Sequence, residues 1–195
     1  MKITDTQGLQ LYDPRNLMAE PTGRIFRSRL PNVATEIQLA DSMAYFVYVG
    51  RTTQPIALQY VEFYVSTAGA GTETKEVGLF STPAATNIQA QTLTKLAVVS
   101  GNDIDTLTST GVRSNSNLNF NYTVPAGIYL WAGIRTAGYS TRPKLSGLCL
   151  DFHEGLVLST ANASSFTSAI SWSGALITPS PYWNSTIAPD LRIRW

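Results

Sequence analysis

Few side chains in this sequence are of the kinds that do chemistry. The only histidine is His153, in Asp151-Phe152-His153-Glu154-Gly155, and the only cysteine is Cys149. On a strand, Asp151 and His153 share a face and Glu154 points away. A metal would need more ligands from elsewhere, and a hydrolase would need a positioned nucleophile. The plainer reading is a strand end reaching a polar rim. Cys149, inside Leu148-Cys149-Leu150, reads as a small buried hydrophobe, and one thiol forms no intrachain disulfide. Gly101-Asn102-Asp103-Ile104-Asp105 offers oxygen ligands, but its spacing matches no EF-hand loop, and Asn and Asp favour turns in their own right. Glu62, Glu73, Glu76, Asp103, Asp105 and Glu154 fall at strand edges or turns with no glycosidase-like pairing. Ala68-Gly69-Ala70-Gly71 lacks the lysine and helix of a phosphate loop. The expectation is a protein that is not an enzyme and carries no cofactor or metal.

Binding is the better-supported kind of work. Trp172, Tyr182 and Trp183 lie in a Ser/Pro-rich stretch spanning 160–188. Exposed rings there would stack on sugars or anchor a protein interface; the alternative is that they cap the open end of a core. Arg24, Arg27 and Arg29 form a small basic cluster near the amino terminus, able to meet acidic groups on a partner. With 14 Lys+Arg against 13 Asp+Glu, the net charge of +1 gives no concentrated basic surplus, so nucleic acid is not an expected partner. The triplets at Asn121, Asn162 and Asn184 match glycan acceptors, but no secretory leader is apparent at Met1, so they read as chance. No stretch approaches the roughly 20 apolar residues of a membrane helix. Synthesis in a cytoplasm is expected.

The elements that would position these residues are strands. At 195 residues, with 44% hydrophobic and 14% charged, the chain suits one folded domain. Residues 1–42 hold Pro14, Pro21 and Pro31 and no sustained alternation, and read as an extended arm of the same unit. Gly23 to Arg27 suits a strand, and residues 33–41 suit a helical turn or two. The arm either wraps its own core or straps a neighbour. From residue 43 the β signal is strong. Met43–Val49 is aromatic and β-branched. Ala57–Val65 places Val61, Phe63 and Val65 on one face and Tyr60, Glu62 and Tyr64 on the other. Ala68–Gly71 then predicts a hairpin to Glu73–Ser81, and Thr92–Val99 another strand. Leu118, Phe120, Tyr122 and Val124 alternate with Asn119, Asn121 and Thr123, and Pro125-Ala126-Gly127 predicts a hairpin into Ile128–Arg135. Leu145–Phe152 reads as a central strand, Leu156–Ser159 as a further one, and Leu191–Trp195 as the last. This predicts an all-β, antiparallel, jelly-roll-like β-sandwich of about eight strands over 43–195, closed by an early strand meeting the last one. Some of Tyr45, Tyr48, Tyr60, Tyr64, Tyr129 and Trp131 must face outward, where a partner or the arm would cover them.

Several segments resemble β-sandwich virion proteins of tailed bacteriophages. They are Tyr45 to Thr52, Val61 to Val65, Gly69-Ala70-Gly71, Glu76 to Pro83, and Val124 to Arg135, together covering residues 43–137. The resemblance implies a virion location and a homo-oligomer. Its leading implication is a capsid decoration (cement) protein that bridges major capsid protein subunits and copies of itself. The alternative is a tail or fibre module that binds host cell-surface polysaccharide through Trp172, Tyr182 and Trp183. It carries over no catalytic residue.

Overall fold

A computed structural model describes residues 18–19, 25–27, 34–52, 54–83, 92–149, 165–168, 172–177, 182–184 and 187–195. Among them are seventeen strands, more than the alternation predicts and ranging from two residues to thirteen. In the first half they are β1 (Met18–Ala19), β2 (Ile25–Arg27), β3 (Ala34–Gln38), β4 (Ala44–Arg51), β5 (Ile56–Leu58), β6 (Tyr60–Thr67), β7 (Ala70–Thr82) and β8 (Leu93–Ser100). A 3-10 turn at Gly101–Asp103 leads to β9 (Gly111–Ser114), β10 (Tyr122–Val124), β11 (Tyr129–Thr141) and β12 (Lys144–Cys149). Short pieces complete the chain: β13 (Ser165–Ser168), β14 (Leu176–Ile177), β15 (Tyr182–Asn184), β16 (Ile187–Pro189) and β17 (Arg192–Arg194). The protein is an all-β, antiparallel sandwich.

One sheet runs β1-β2-β17-β6-β12-β16, with β3 also on β12 and β9 also on β6; the other runs β14-β8-β7-β11-β4-β13-β15. A two-stranded piece joins β5 and β10. The expected closure by an early strand is present, since Arg27 lies opposite Arg192 and Ile25 opposite Arg194. Residues 33–41 depart from the expected helical turn: Ala34–Gln38 is strand β3, in register with Lys144–Leu148. The β-branched Thr35 and Ile37 suit that role, and β12 supplies a ladder that a helix could not use.

The main core lies between the sheets. Val61, Phe63 and Val65 from β6 face Val77 and Leu79 from β7, Val47 and Val49 from β4, and Leu130, Ala132 and Ile134 from β11. The alternation read for residues 60–65 holds, with Tyr64 exposed and Val61, Phe63 and Val65 buried.

The link at Ala68–Gly71 does not make the predicted hairpin. It carries the chain from the first sheet to the second, so β6 and β7 face each other across the core. The segment joining β11 to β12 makes the reverse crossing beside it: Thr141 and Tyr139 pair with Ala70 and Gly71, and Lys144 pairs with Thr67. Gly69 sits where these crossings touch. A Cβ there would stand 2.8 Å from the Tyr139 ring and 3.0 Å from Pro143 Cδ. What decides against a hairpin is long-range pairing, because β7 finds β11 over nearly its whole length.

The hairpin predicted around Pro125–Gly127 is also absent. β10 pairs with β5, while β11 lies between β4 and β7. The buried Thr52 holds the connection open. Its hydroxyl donates to the Pro125 carbonyl at 2.6 Å and accepts from the Ile128 N–H at 3.0 Å. Its backbone bonds Ile128 and Gly127 in the same loop. Asn121, at φ 45, interrupts the apolar alternation, and Leu118 is exposed.

The seven-stranded sheet is buried on both faces. Opposite the main core lies a second cluster of Ala44, Phe46, Tyr48, Phe80, Leu93, Trp131 and Trp172. This explains the unbroken apolar run Ala44–Val49, which serves two cores. Gly133 makes room for the rings: a Cβ there would meet Phe80 at 2.9 Å, and Phe46 and Trp172 at 3.2 Å. β14 and β15 lie six strand spacings apart in this sheet, about 29 Å if it were flat. The five residue steps from Ile177 to Tyr182 reach only about 18 Å, so the sheet bends its edges towards each other.

Two predictions follow from this packing. Gly133→Ala overpacks the ring cluster and should lower unfolding stability by about 1–3 kcal/mol in denaturant titration. Burial pushes the Tyr45 hydroxyl above its ordinary range, partly opposed by the Ala40 N–H that donates to it. The fold thus favours the neutral phenol, a contribution intact below pH of about 10 and lost as pH rises through the raised value. Tyr45→Phe should therefore remove part of the loss in denaturation midpoint between pH 9 and 11 that the parent shows.

Candidate surface groove on the eight-stranded sheet

The outer face of the eight-stranded sheet carries a shallow groove of about 260 Å³ lined by Glu62, Phe63, Tyr64, Val112, Ser146 and Arg192. β6 supplies its floor. The alternation that buries Phe63 turns Glu62 and Tyr64 outward. Val112 stands directly opposite Tyr64 in the β6–β9 register. Ser114 turns its N–H and C=O away from β6, to Asp105, which makes Tyr64 and Val112 a non-hydrogen-bonded pair with closely spaced side chains. Tyr64 is 44% exposed and Val112 55%. Two apolar side chains therefore stand together in water.

The ionic groups beside them are already neutralised. Arg192 Nη2 and Nε donate to Asp190 Oδ2 at 2.8 and 3.1 Å. Arg194 Nη2 lies 3.1 Å from Glu62 Oε2. Asp190 is buried, and the two N–H bonds to its Oδ2 hold the Arg192 guanidinium at the groove wall. At the far side of β12, Glu36 lies 3.2 Å from Lys144 Nζ; the Ser66 hydroxyl and this ammonium hold its carboxyl below the usual range. The resulting surface is apolar at one spot, with charges that cancel locally.

Just past the end of β9, Asn115 is fully buried. Its Oδ1 accepts the Val61 N–H at 2.8 Å, and its Nδ2 donates to the Gln59 and Leu118 carbonyls at 3.2 and 2.8 Å. The side-chain amide thus continues the ladder to Val61 past the end of β9.

The residues singled out by sequence fall in different places. Trp172 is 3% exposed and packs on Phe80 at 4.9 Å and Phe46 at 5.7 Å between ring centroids. Its carbonyl accepts from Lys95 Nζ at 2.8 Å. It is a capping ring of the second core, so the reading of Trp172 as an exposed binding ring is corrected. The apolar faces of Phe46 and Phe80 would otherwise be bare. Tyr182 and Trp183 lie on β15, opposite Ser168 and Thr167, and are placed by their backbone. Arg27 lies on β2, placed likewise. Arg24, Arg29, Asp151, His153, Glu154 and Leu156–Ser159 lie outside the described residues. Cys149 ends β12 in register with Ile187. Asp105 spends both carboxylate oxygens locally, on the Ser114 N–H at 2.9 Å and the Ser116 hydroxyl at 2.6 Å. Glu76 is paired with Arg135 at 2.8 Å. Among the described residues no three His, Cys, Asp or Glu side chains gather as metal ligands.

Glu62 and Tyr64 were readable as outward-facing, but Val112, Ser146 and Arg192 reach the groove only through strand pairing. Val112 sits in a four-residue strand among polar neighbours, with no alternation to reveal it.

The described residues define an antiparallel β-sandwich whose eight-stranded sheet carries a mixed surface groove. Compared with the models of known protein families and with curated proteins, the chain matches none of them.

The two aromatic positions should separate cleanly on substitution. Trp172→Ala should cost about 3–5 kcal/mol of stability. Tyr64→Ala should stay within about 0.5 kcal/mol of the parent, as for exposed side chains generally, in the same denaturant titration.

Proposed function

We propose that this chain is a virion structural protein of a tailed bacteriophage, acting as a capsid decoration subunit that bridges neighbouring shell proteins. The observation that carries this reading is the Tyr64–Val112 pair, two exposed apolar side chains on adjacent strands, flanked by the Glu62–Arg194 and Asp190–Arg192 ion pairs. An apolar centre with a polar rim is the usual anatomy of a protein interface, and Tyr and Arg are among its commonest anchors. The β-sandwich and the resemblance of residues 43–137 to phage virion proteins support the same reading. So does the pairing of acidic side chains such as Glu62 and Glu76 in structural ion pairs. The partners on this reading are the major capsid protein and other copies of the chain, in the virion.

The alternative, polysaccharide recognition in a tail or fibre through Trp172, Tyr182 and Trp183, is weakened because Trp172 is a core residue.

The test is add-back to particles that lack the protein. Parent protein should bind in hundreds of copies per particle and raise the temperature at which shells break. Tyr64→Ser/Val112→Ser should fold normally yet bind about 30-fold more weakly, a hot-spot loss of about 2 kcal/mol. Full incorporation of that variant refutes the role of this face. A copy number of a few to a few dozen refutes decoration itself.

A further inference from the structure

Strand β9 lies at the outside of its sheet, paired only with β6 among the described residues. Such an edge ordinarily offers a row of backbone donors and acceptors to any extended chain. Here the row is occupied by side chains and backbone of the same protein. In an antiparallel ladder, alternate residues turn both backbone groups to the same side, so Val112 and Ser114 both face away from β6.

Three of their four rim groups are taken. The Ser114 N–H donates to Asp105 Oδ2 at 2.9 Å, and the Ser114 carbonyl accepts from the Asp105 N–H at 2.9 Å. The Val112 carbonyl accepts from Arg113 Nη1 at 3.0 Å. The same guanidinium folds back along the edge to the Thr110 carbonyl at 2.8 Å and the Ser109 hydroxyl at 2.6 Å. Asp105 is locked in turn by the Ser116 hydroxyl at 2.6 Å. A side chain pointing into solvent would gain nothing by lying flat along its own strand unless these bonds held it there.

We infer that Asp105 and Arg113 are guards that close the β9 edge against strand addition by a second copy of this chain. A second copy is the matching occupant because β9 can pair antiparallel with itself about a two-fold axis, so the same rim serves both partners. Main-chain pairing of this kind needs the Val112 carbonyl and the Ser114 N–H, which the two guard side chains hold, together with the Val112 N–H between them. With the edge closed, contacts between subunits are left to side chains on the sheet face. Val112 belongs to both surfaces, its side chain to the face contact proposed above and its backbone groups to the edge, and the closed edge does not depend on that contact.

The test is Asp105→Ala/Arg113→Ala against the parent, by light scattering over a concentration series. Self-association of the double variant should be at least tenfold tighter than the parent's. Adding Val112→Pro should abolish the gain, because an incoming strand needs the Val112 N–H, which points away from β6. Adding Tyr64→Ser should leave the gain intact, because that ring stands on the face. A folded double variant with the parent's mass at every concentration overturns the inference, as does a gain that survives Val112→Pro or vanishes with Tyr64→Ser. Should the double variant lack a cooperative unfolding transition, Arg113→Ala alone carries the test, with a smaller gain expected. An unchanged mass there overturns the inference equally.

Discussion

The ladder between β7 and β11 is the constraint on which the rest of the molecule depends. Each strand is thirteen residues long, and they pair from Tyr129–Thr82 to Thr141–Ala70. A ladder of that length in the middle of a sheet has two faces to bury. One is buried against the eight-stranded sheet, and the other needs a second core, which among the described residues no further sheet supplies. The chain meets that need with aromatic rings drawn from three strands and from Trp172, and with Gly133 and Gly78, where a larger residue would collide with them. The bend of the seven-stranded sheet follows, since rings gathered on one side draw both edges round.

The same ladder explains where the surface groove lies. Because β7 and β11 both run on into crossings to the other sheet, β6 and β12 enter that sheet side by side at Thr67 and Lys144. They are then flanked within the same sheet by the short strands β9, β16 and β17, each of which pairs with only part of its neighbour. As the proposed contact surface, the groove is set by strand ends within a sheet, which suits docking that needs little rearrangement.

Much of the architecture was legible in the sequence, and the reasons for the failures are physical. Alternation at Val61, Phe63 and Val65, the continuous run Ala44–Val49 and the closing strand near the carboxyl terminus all carry their burial in their own side chains. The two hairpins failed because a turn sequence states that the chain reverses and says nothing about which strand it meets next. The Pro125–Gly127 turn bonds Thr52, and Ala68–Gly71 serves a crossing; both outcomes depend on residues far along the chain. Trp172 was ambiguous because an aromatic ring in a polar stretch looks the same whether it faces water or a core. The groove was half-visible, since Glu62 and Tyr64 belong to an alternating strand while Val112, Ser146 and Arg192 arrive by pairing alone.

Asn115 has a consequence for how this protein can change. Its amide stands in for a peptide group, with one acceptor and one donor-bearing nitrogen in a plane. Aspartate has the same shape but would set an oxygen against the Gln59 and Leu118 carbonyls. Leucine has the same bulk but no polar atom for Val61, and glutamine is one methylene too long for a fully enclosed site. The exposed residues around it are under no such restriction. This position, fully enclosed by the fold, is closed to nearly every substitution, so variation on the surface would accumulate around a fixed point.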